Sequence, residues 1–109
     1  MRAINDDSRE LKRIVDIIVS SVSPDKIILF GSRARGDNRV DSDIDLLVLK
    51  RNIENEREVT RKVYQRMFSE DISIPIDLLA ADLEKYDELK RKNGMIYKAI
   101  DSEGVVVYG

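Results

Sequence analysis

The sequence predicts an α/β domain in which short apolar strands alternate with amphipathic helices. Two observations predict it: short apolar runs end at glycine, aspartate or polar clusters, and longer segments repeat apolar residues every three or four positions. The 109 residues are enough for one hydrophobic core but too few for a core plus a separate substrate domain. Residues 1–109 are therefore expected to form one domain.

The predicted elements follow the order α-β-loop-β-α-β-α-α-β. Their expected positions are helices over about residues 7–22, 53–70 and 82–92, a short helix after Gly94, and strands over 26–30, 44–49, 74–79 and 105–108. The run from Ile44 to Leu49 is almost continuously apolar, which is typical of a strand buried on both faces. For the last strand, Val105–Tyr108, a place inside the sheet is favoured, and an edge that pairs with another chain is the alternative.

Composition narrows the chemistry that the chain can perform. It contains no Cys and no His, which excludes disulfides, thiolates, imidazole bases and metal sites built on these ligands. Any catalysis must use carboxylates, hydroxyls, Lys, Arg or a hard metal ion. The net charge of -2, with 37% charged residues, gives no electrostatic reason to expect direct nucleic-acid binding.

No apolar run approaches the roughly 18 residues expected of a membrane span. The first ten residues are polar and acidic, unlike a secretion signal. We therefore expect a cytoplasmic protein with no membrane partner.

Three aspartates stand at or inside predicted strands. Alternate residues of a strand share a face, so Asp43 and Asp45 should project together at the start of the second strand, and Asp77 lies in the third. The three acids are therefore expected to converge on one surface of one sheet. Close carboxylates at the margin of a core repel one another, and a divalent cation relieves that repulsion. Oxygen ligands alone favour Mg²⁺ or Mn²⁺, and two such ions are the expected set. The alternative interpretation is structural, with these acids in ion pairs to nearby arginines.

A Gly-Ser turn precedes the aspartates. Gly31 allows the backbone to approach a phosphate closely, and Ser32 can add a hydroxyl donor. Arg33 and Arg35 could neutralise a triphosphate, since guanidinium groups bind phosphate through two parallel hydrogen bonds. An ordinary strand-ending turn followed by solvated arginines is the alternative.

The glycine spacing of this turn is the same as in the P-loop, a different phosphate-binding motif. Gly31 and Gly36 are separated as in a P-loop, but Asp37 and Asn38 follow where that motif needs Lys and then Ser or Thr. A P-loop nucleoside triphosphatase (NTPase) is therefore excluded.

Together these residues resemble the nucleotidyltransferase superfamily that shares its fold with DNA polymerase β. The matching pattern is Phe30-Gly31-Ser32, ten residues, then Asp43-Ile44-Asp45-Leu46. The fuller motif looks most like the minimal nucleotidyltransferases, short proteins that act as antitoxins beside HEPN-domain toxins. The resemblance implies a mixed sheet of about four strands with helices packed mainly on one face. It also implies a single minimal nucleotidyltransferase domain.

The resemblance implies transfer of AMP from ATP with release of pyrophosphate. Gly31 and Ser32 match the family's triphosphate-binding turn, Asp43 and Asp45 match its metal ligands, and Asp77 looks like its third carboxylate. The implied acceptor is a tyrosine hydroxyl on a HEPN-type toxin, which would be silenced by adenylylation (AMPylation). Homo- or hetero-oligomers would both agree with this interpretation.

Two other functions remain open on the sequence. The chain could be a non-catalytic antitoxin that covers the same partner, with its nucleotide site incidental. It could also be the catalytic subunit of a two-chain enzyme that modifies a small molecule. The intact set of clustered acids favours catalysis, because simple occlusion does not need them.

Overall fold

A computed structural model describes residues 5–37, 43–92 and 95–109. The helices are α1 (Asn5–Val22), α2 (Gly31–Arg35), α3 (Glu56–Ser69), α4 (Tyr86–Lys92) and α5 (Met95–Glu103). The strands are β1 (Lys26–Phe30), β2 (Ile44–Lys50), β3 (Ile76–Asp82) and β4 (Val105–Tyr108), and a 3₁₀ turn, Leu83–Lys85, joins β3 to α4. None of the helices in these ranges combines the length and the apolar character needed to cross a membrane.

The four strands form one mixed sheet in the order β3-β2-β1-β4. β2 runs parallel to β3 and antiparallel to β1, and β4 runs antiparallel to β1. The mixed α/β architecture predicted from the sequence is confirmed.

The two longest helices, α1 and α3, cover one face of the sheet. Their apolar stripes pack on the strand residues that point toward them, including the fully buried Leu46 and Val48. The shorter α4 and α5 cover part of the other face, where Tyr86 and Ile100 contact the cluster that contains Leu47. Strand β2 is consequently buried on both faces, as its apolar sequence predicts.

Local sequence explains where several elements begin. The side chain of Asn55 accepts hydrogen bonds from the backbone N–H groups of Arg57 and Glu58, so α3 begins at Glu56 rather than near residue 53. The helix predicted over 82–92 is capped by its first residue, since the carboxylate of Asp82 accepts the N–H of Glu84 at 2.9 Å. The helix there opens with a 3₁₀ turn.

Three other expectations differ from the structure. The third strand was predicted over 74–79 but spans Ile76–Asp82. Pro75, the residue before it, contacts β2 through its carbonyl, which accepts the Ile44 N–H at 3.1 Å. The sheet-interior position favoured for β4 is wrong, because β4 is an edge strand. The loop predicted over residues 33–42, in which a short helical turn was allowed, begins inside helix α2, and this helix also includes the predicted Gly-Ser turn. Residues 38–42 of that segment and the predicted helix break at Gly94 lie outside the described residues.

Candidate active site

Asp45 and Asp77 are direct neighbours in the sheet. They are register partners on the parallel strands β2 and β3. Neighbouring strands of a sheet lie about 4.8 Å apart. Partners in register point to the same face, so the two carboxylates share a face, as predicted. That face also carries Leu47, one of the residues packed under α4 and α5. Asp45 is half-buried and Asp77 is exposed, which leaves the pair open to a ligand.

Gly31 lies against the Asp45 carboxylate. Phe30, the last residue of β1, is the register partner of Asp45, and the chain then turns at Gly31 with φ of +75°. A β-carbon built on residue 31 would overlap Oδ2 of Asp45. Glycine is required here for two reasons, since other residues rarely adopt this φ and a side chain would displace the carboxylate. The contact with Asp45 was not predicted from the sequence, and the predicted approach of Gly31 to a phosphate stays a prediction.

Helix α2 carries the predicted site residues Ser32, Arg33 and Arg35, whereas Asp43 is the exposed residue directly before β2. Helix α2 is a single short helix that ends where the Ser32 carbonyl accepts the N–H groups of Gly36 at 2.9 Å and Asp37 at 3.1 Å. Gly36 has a left-handed φ of +84°, as is usual just after a helix. The buried Ala34 anchors the helix in the core. Ser32 is therefore held one residue from the contact between Gly31 and Asp45.

The electrostatics of Asp45 reflect its neighbours. Burial raises the pKa of the Asp45 carboxyl, and the negative charges of Asp77 and Asp43 raise it further. The positive charges of Arg35 and Arg33 act in the opposite direction without cancelling the increase. The other four predicted ionisable site residues thus lie close enough to influence the Asp45 carboxylate. The site holds an excess of negative charge around Asp45.

Arg35 is fixed by two acids. Its guanidinium Nε donates to Asp37 at 3.2 Å, and its Nη1 lies 3.5 Å from Glu103 on α5. The hydrogen bond to Asp37 is the main reason that the pKa of Arg35 is raised. The side chain remains 45% exposed, so it can still meet a ligand. Glu103 was not predicted, because nothing in the local sequence marks an exposed glutamate on a distant helix as a partner of the site.

The acids suit a hard metal ion by chemistry. Across residues 5–37, 43–92 and 95–109, no three acidic side chains are grouped closely enough to form a metal site by themselves. Asp45 and Asp77 nevertheless supply paired carboxylates, with the charge of Asp43 nearby. Two carboxylates completed by substrate phosphate are the usual way in which proteins hold Mg²⁺. The residues present therefore fit such an ion.

Comparison with known proteins gives the family. Residues 12–109 match the family described as "Polymerase beta, Nucleotidyltransferase", so the chain belongs to this family. Comparison with curated proteins gives no match.

Solved structures share the fold over most of the chain. A protein from Sulfolobus solfataricus, proposed to be a nucleotidyltransferase, is 27% identical with a TM-score of 0.62, and the match covers 90% of this chain and 76% of that one. A toxin–antitoxin structure with AMP-PNP is 21% identical with a TM-score of 0.62, covering 90% and 72% of the two chains. A mutant of the toxin–antitoxin pair MntA–HpeT, in which two aspartates are replaced by glutamate, is 20% identical with a TM-score of 0.60 over the same shares.

Proposed function

We propose that this chain is a metal-dependent nucleotidyltransferase that transfers AMP from ATP to a tyrosine hydroxyl of a HEPN-type toxin partner and thereby acts as an antitoxin. The observation that carries the proposal is the pairing of Asp45 with Asp77 beside the obligatory glycine at position 31. Nucleotidyltransferase chemistry is the family's own. The tyrosine acceptor and the toxin partner are the parts of the proposal that go beyond the family's chemistry.

The nucleotide would bind between α2 and the carboxylates. Gly31 and Ser32 would meet the triphosphate through backbone N–H groups and the serine hydroxyl. Arg33 and Arg35 would offset its negative charge, and the two acids that hold Arg35 would limit the conformational entropy lost on binding. This arrangement would present the α-phosphorus to the Asp45 side of the site.

The transfer itself is a substitution at phosphorus. The acceptor hydroxyl oxygen would form a bond to the α-phosphorus of ATP while the bond from that phosphorus to the bridging oxygen breaks, and pyrophosphate would leave. Asp77, the more exposed carboxylate of the pair, would accept the hydroxyl proton. Rate enhancement would come chiefly from alignment of the two reactants and from charge neutralisation.

Asp43, Asp45 and Asp77 would hold the metal, with Mg²⁺ as the expected ion, Mn²⁺ as an alternative and two ions as the expected number. When bound, such ions neutralise phosphate charge and make the acceptor hydroxyl more acidic. The raised pKa of Asp45 supports this assignment, because a cation would relieve the repulsion that contributes to the shift.

A protein acceptor is favoured over a small molecule by the structures to which this chain is similar. Two of the similar structures are toxin–antitoxin assemblies, one with AMP-PNP, and the other carries changes at a pair of aspartates two positions apart, the spacing of Asp43 and Asp45. These likenesses motivate the choice of partner.

A growth assay of partner neutralisation distinguishes the catalytic mechanism from simple occlusion. The partner that co-purifies with the chain should be expressed with wild-type protein, with Asp45→Asn and with Asp16→Asn, a control at an exposed carboxylate on α1. Asp45→Asn should fail to relieve growth inhibition although it still binds the partner, whereas Asp16→Asn should relieve it fully. Neutralisation that survives in Asp45→Asn would contradict the catalytic account and favour occlusion.

A further inference from the structure

Strand β4 forms one outer edge of the sheet and exposes apolar side chains there. It pairs only with β1, so its other side is open within the described chain. Val105, Val106 and Tyr108 are 42%, 52% and 38% exposed. An open edge of this kind offers unpaired backbone N–H and C=O groups to another strand.

The opposite edge of the sheet is covered by a side chain. β3 is the other outer strand, and the hydroxyl of Tyr64 on α3 lies across it. This hydroxyl accepts the Leu78 N–H at 3.3 Å and donates to the Ile76 carbonyl at 3.5 Å. Tyr64 thus occupies backbone groups that another strand would need. In the described ranges no side chain makes comparable hydrogen bonds to β4.

The composition of β4 also lacks the features that usually protect an edge. Single chains commonly place Lys, Pro or an inward-pointing charge on such strands to prevent pairing. The sequence Val105-Val106-Val107-Tyr108 has none of these and consists of residues with high strand propensity. A strand without charge can pair with a copy of itself because no like charges are brought together.

We propose that two copies of this chain associate through antiparallel pairing of their β4 strands. A two-fold axis perpendicular to the sheet, passing beside Val106, would place this residue opposite the same residue of the second copy. Val105 would then face Val107 of the other chain. This contact is self-complementary, as a symmetric dimer requires, and it joins two four-stranded sheets into one of eight strands.

The dimer leaves both candidate active sites accessible. Val106 is the register partner of Ile28, which is the partner of Leu47, and Leu47 lies two residues from Asp45 on the same face. Because the two-fold axis is perpendicular to the sheet, the Asp45 faces of the two copies lie on the same side of the joined sheet. Both sites therefore open in the same direction. Five strand spacings of about 4.8 Å separate the two β2 strands, or roughly 24 Å. The inference does not depend on the proposed activity.

Cysteine cross-linking tests the contact directly, because the natural chain contains no Cys. Val106→Cys should form a covalent dimer under mild oxidation, since facing residues of antiparallel strands bring their β-carbons within about 5.5 Å. Phe68→Cys is the control, at an 88% exposed position on α3. Cross-linking at position 106 should be at least tenfold faster than at position 68. Equal rates would overturn the proposal.

Sedimentation equilibrium provides an independent measurement on the unmodified chain. A short strand contact buries little area, so we expect a dissociation constant in the micromolar range and a test up to about 1 mM protein. Val106→Lys should shift the chain to monomer, and Phe68→Lys should not, with circular dichroism confirming that both fold. A wild-type chain that stays monomeric, including one whose β4 edge binds only a different protein, would contradict the proposal.

Discussion

Gly31 and Asp45 compete for the same space: Oδ2 of Asp45 lies where a β-carbon on residue 31 would be. The turn after β1 and the acid on β2 are therefore one structural unit. A side chain added at position 31 would displace the Asp45 carboxylate, and this links the geometry of the turn to the position of the candidate metal ligand.

Gly31→Ala should nearly abolish AMP transfer. The added methyl group would displace the Asp45 carboxylate, and a displacement of about 1 Å at a reacting centre can cost roughly 100-fold in rate. The control is Gly36→Ala, which has a similar left-handed φ of +84° and is exposed. Both variants should lose stability through backbone strain, by about 1 kcal/mol, but only the first should lose activity. Equal activity losses would show that strain, rather than contact with Asp45, is responsible.

Asp45→Asn should stabilise the metal-free protein at neutral pH. The pKa of Asp45 is raised above its ordinary value of 3.8 in the folded state. As pH rises from that value through the folded pKa, the unfolded chain loses the proton first, so stability falls until the pH exceeds the folded pKa. The variant should melt at a higher temperature than wild type at pH 7, and the gain should disappear below about pH 3.8. A gain independent of pH would contradict this explanation.

Magnesium should stabilise wild type but not the Asp45→Asn variant. A cation bound to the native state stabilises it by mass action and relieves repulsion around Asp45. Thermal melting with increasing Mg²⁺ in the presence of a non-hydrolysable ATP analogue should raise the melting temperature of wild type but not of Asp45→Asn. The exposed-site variant Asp16→Asn should respond like wild type, and the same response in Asp45→Asn would remove Asp45 from the metal site.

Arg35→Gln should weaken ATP binding with little effect on folding. Loss of one charged contact to phosphate corresponds to about 1.4 kcal/mol, or a tenfold higher KM for ATP. Arg66→Gln is a matched control, because Arg66 on α3 is also 45% exposed and ion-paired, in its case with Glu70 just after the helix. Steady-state kinetics should show the higher KM for ATP in Arg35→Gln and not in Arg66→Gln. Both variants should change the free energy of unfolding by less than about 1 kcal/mol. An unchanged KM in Arg35→Gln would exclude this residue from the nucleotide site.

Tyr64→Phe should uncover the β3 edge. Loss of the hydroxyl leaves the Leu78 N–H and Ile76 carbonyl without that partner and should cost about 1 kcal/mol. Hydrogen exchange at the Leu78 amide should accelerate, as measured by NMR. Tyr108→Phe is the control, since within the described residues the Tyr108 hydroxyl makes no hydrogen bond. Unchanged exchange at Leu78 would show that Tyr64 does not protect this edge.

The sequence predicted the element order and the approach of Asp45 to Asp77. Those features follow from local periodicity and from strand alternation, and both are encoded within a few residues. The contact between Gly31 and Asp45 needed the register of β1 against β2, which no single segment determines. The edge position of β4 was missed for a similar reason, because the order of strands depends on tertiary pairing. The bridge from Arg35 to Glu103 depends on how α5 packs.

The most direct test of the proposed activity is the intact mass of the partner. The chain and its co-purified partner should be incubated with Mg²⁺ and ATP, and both proteins weighed by mass spectrometry, with an Asp43→Asn/Asp45→Asn double variant as control. We predict that the partner gains mass in AMP units with wild type and none with the variant. A partner that stays bound to wild type and unmodified would contradict the account.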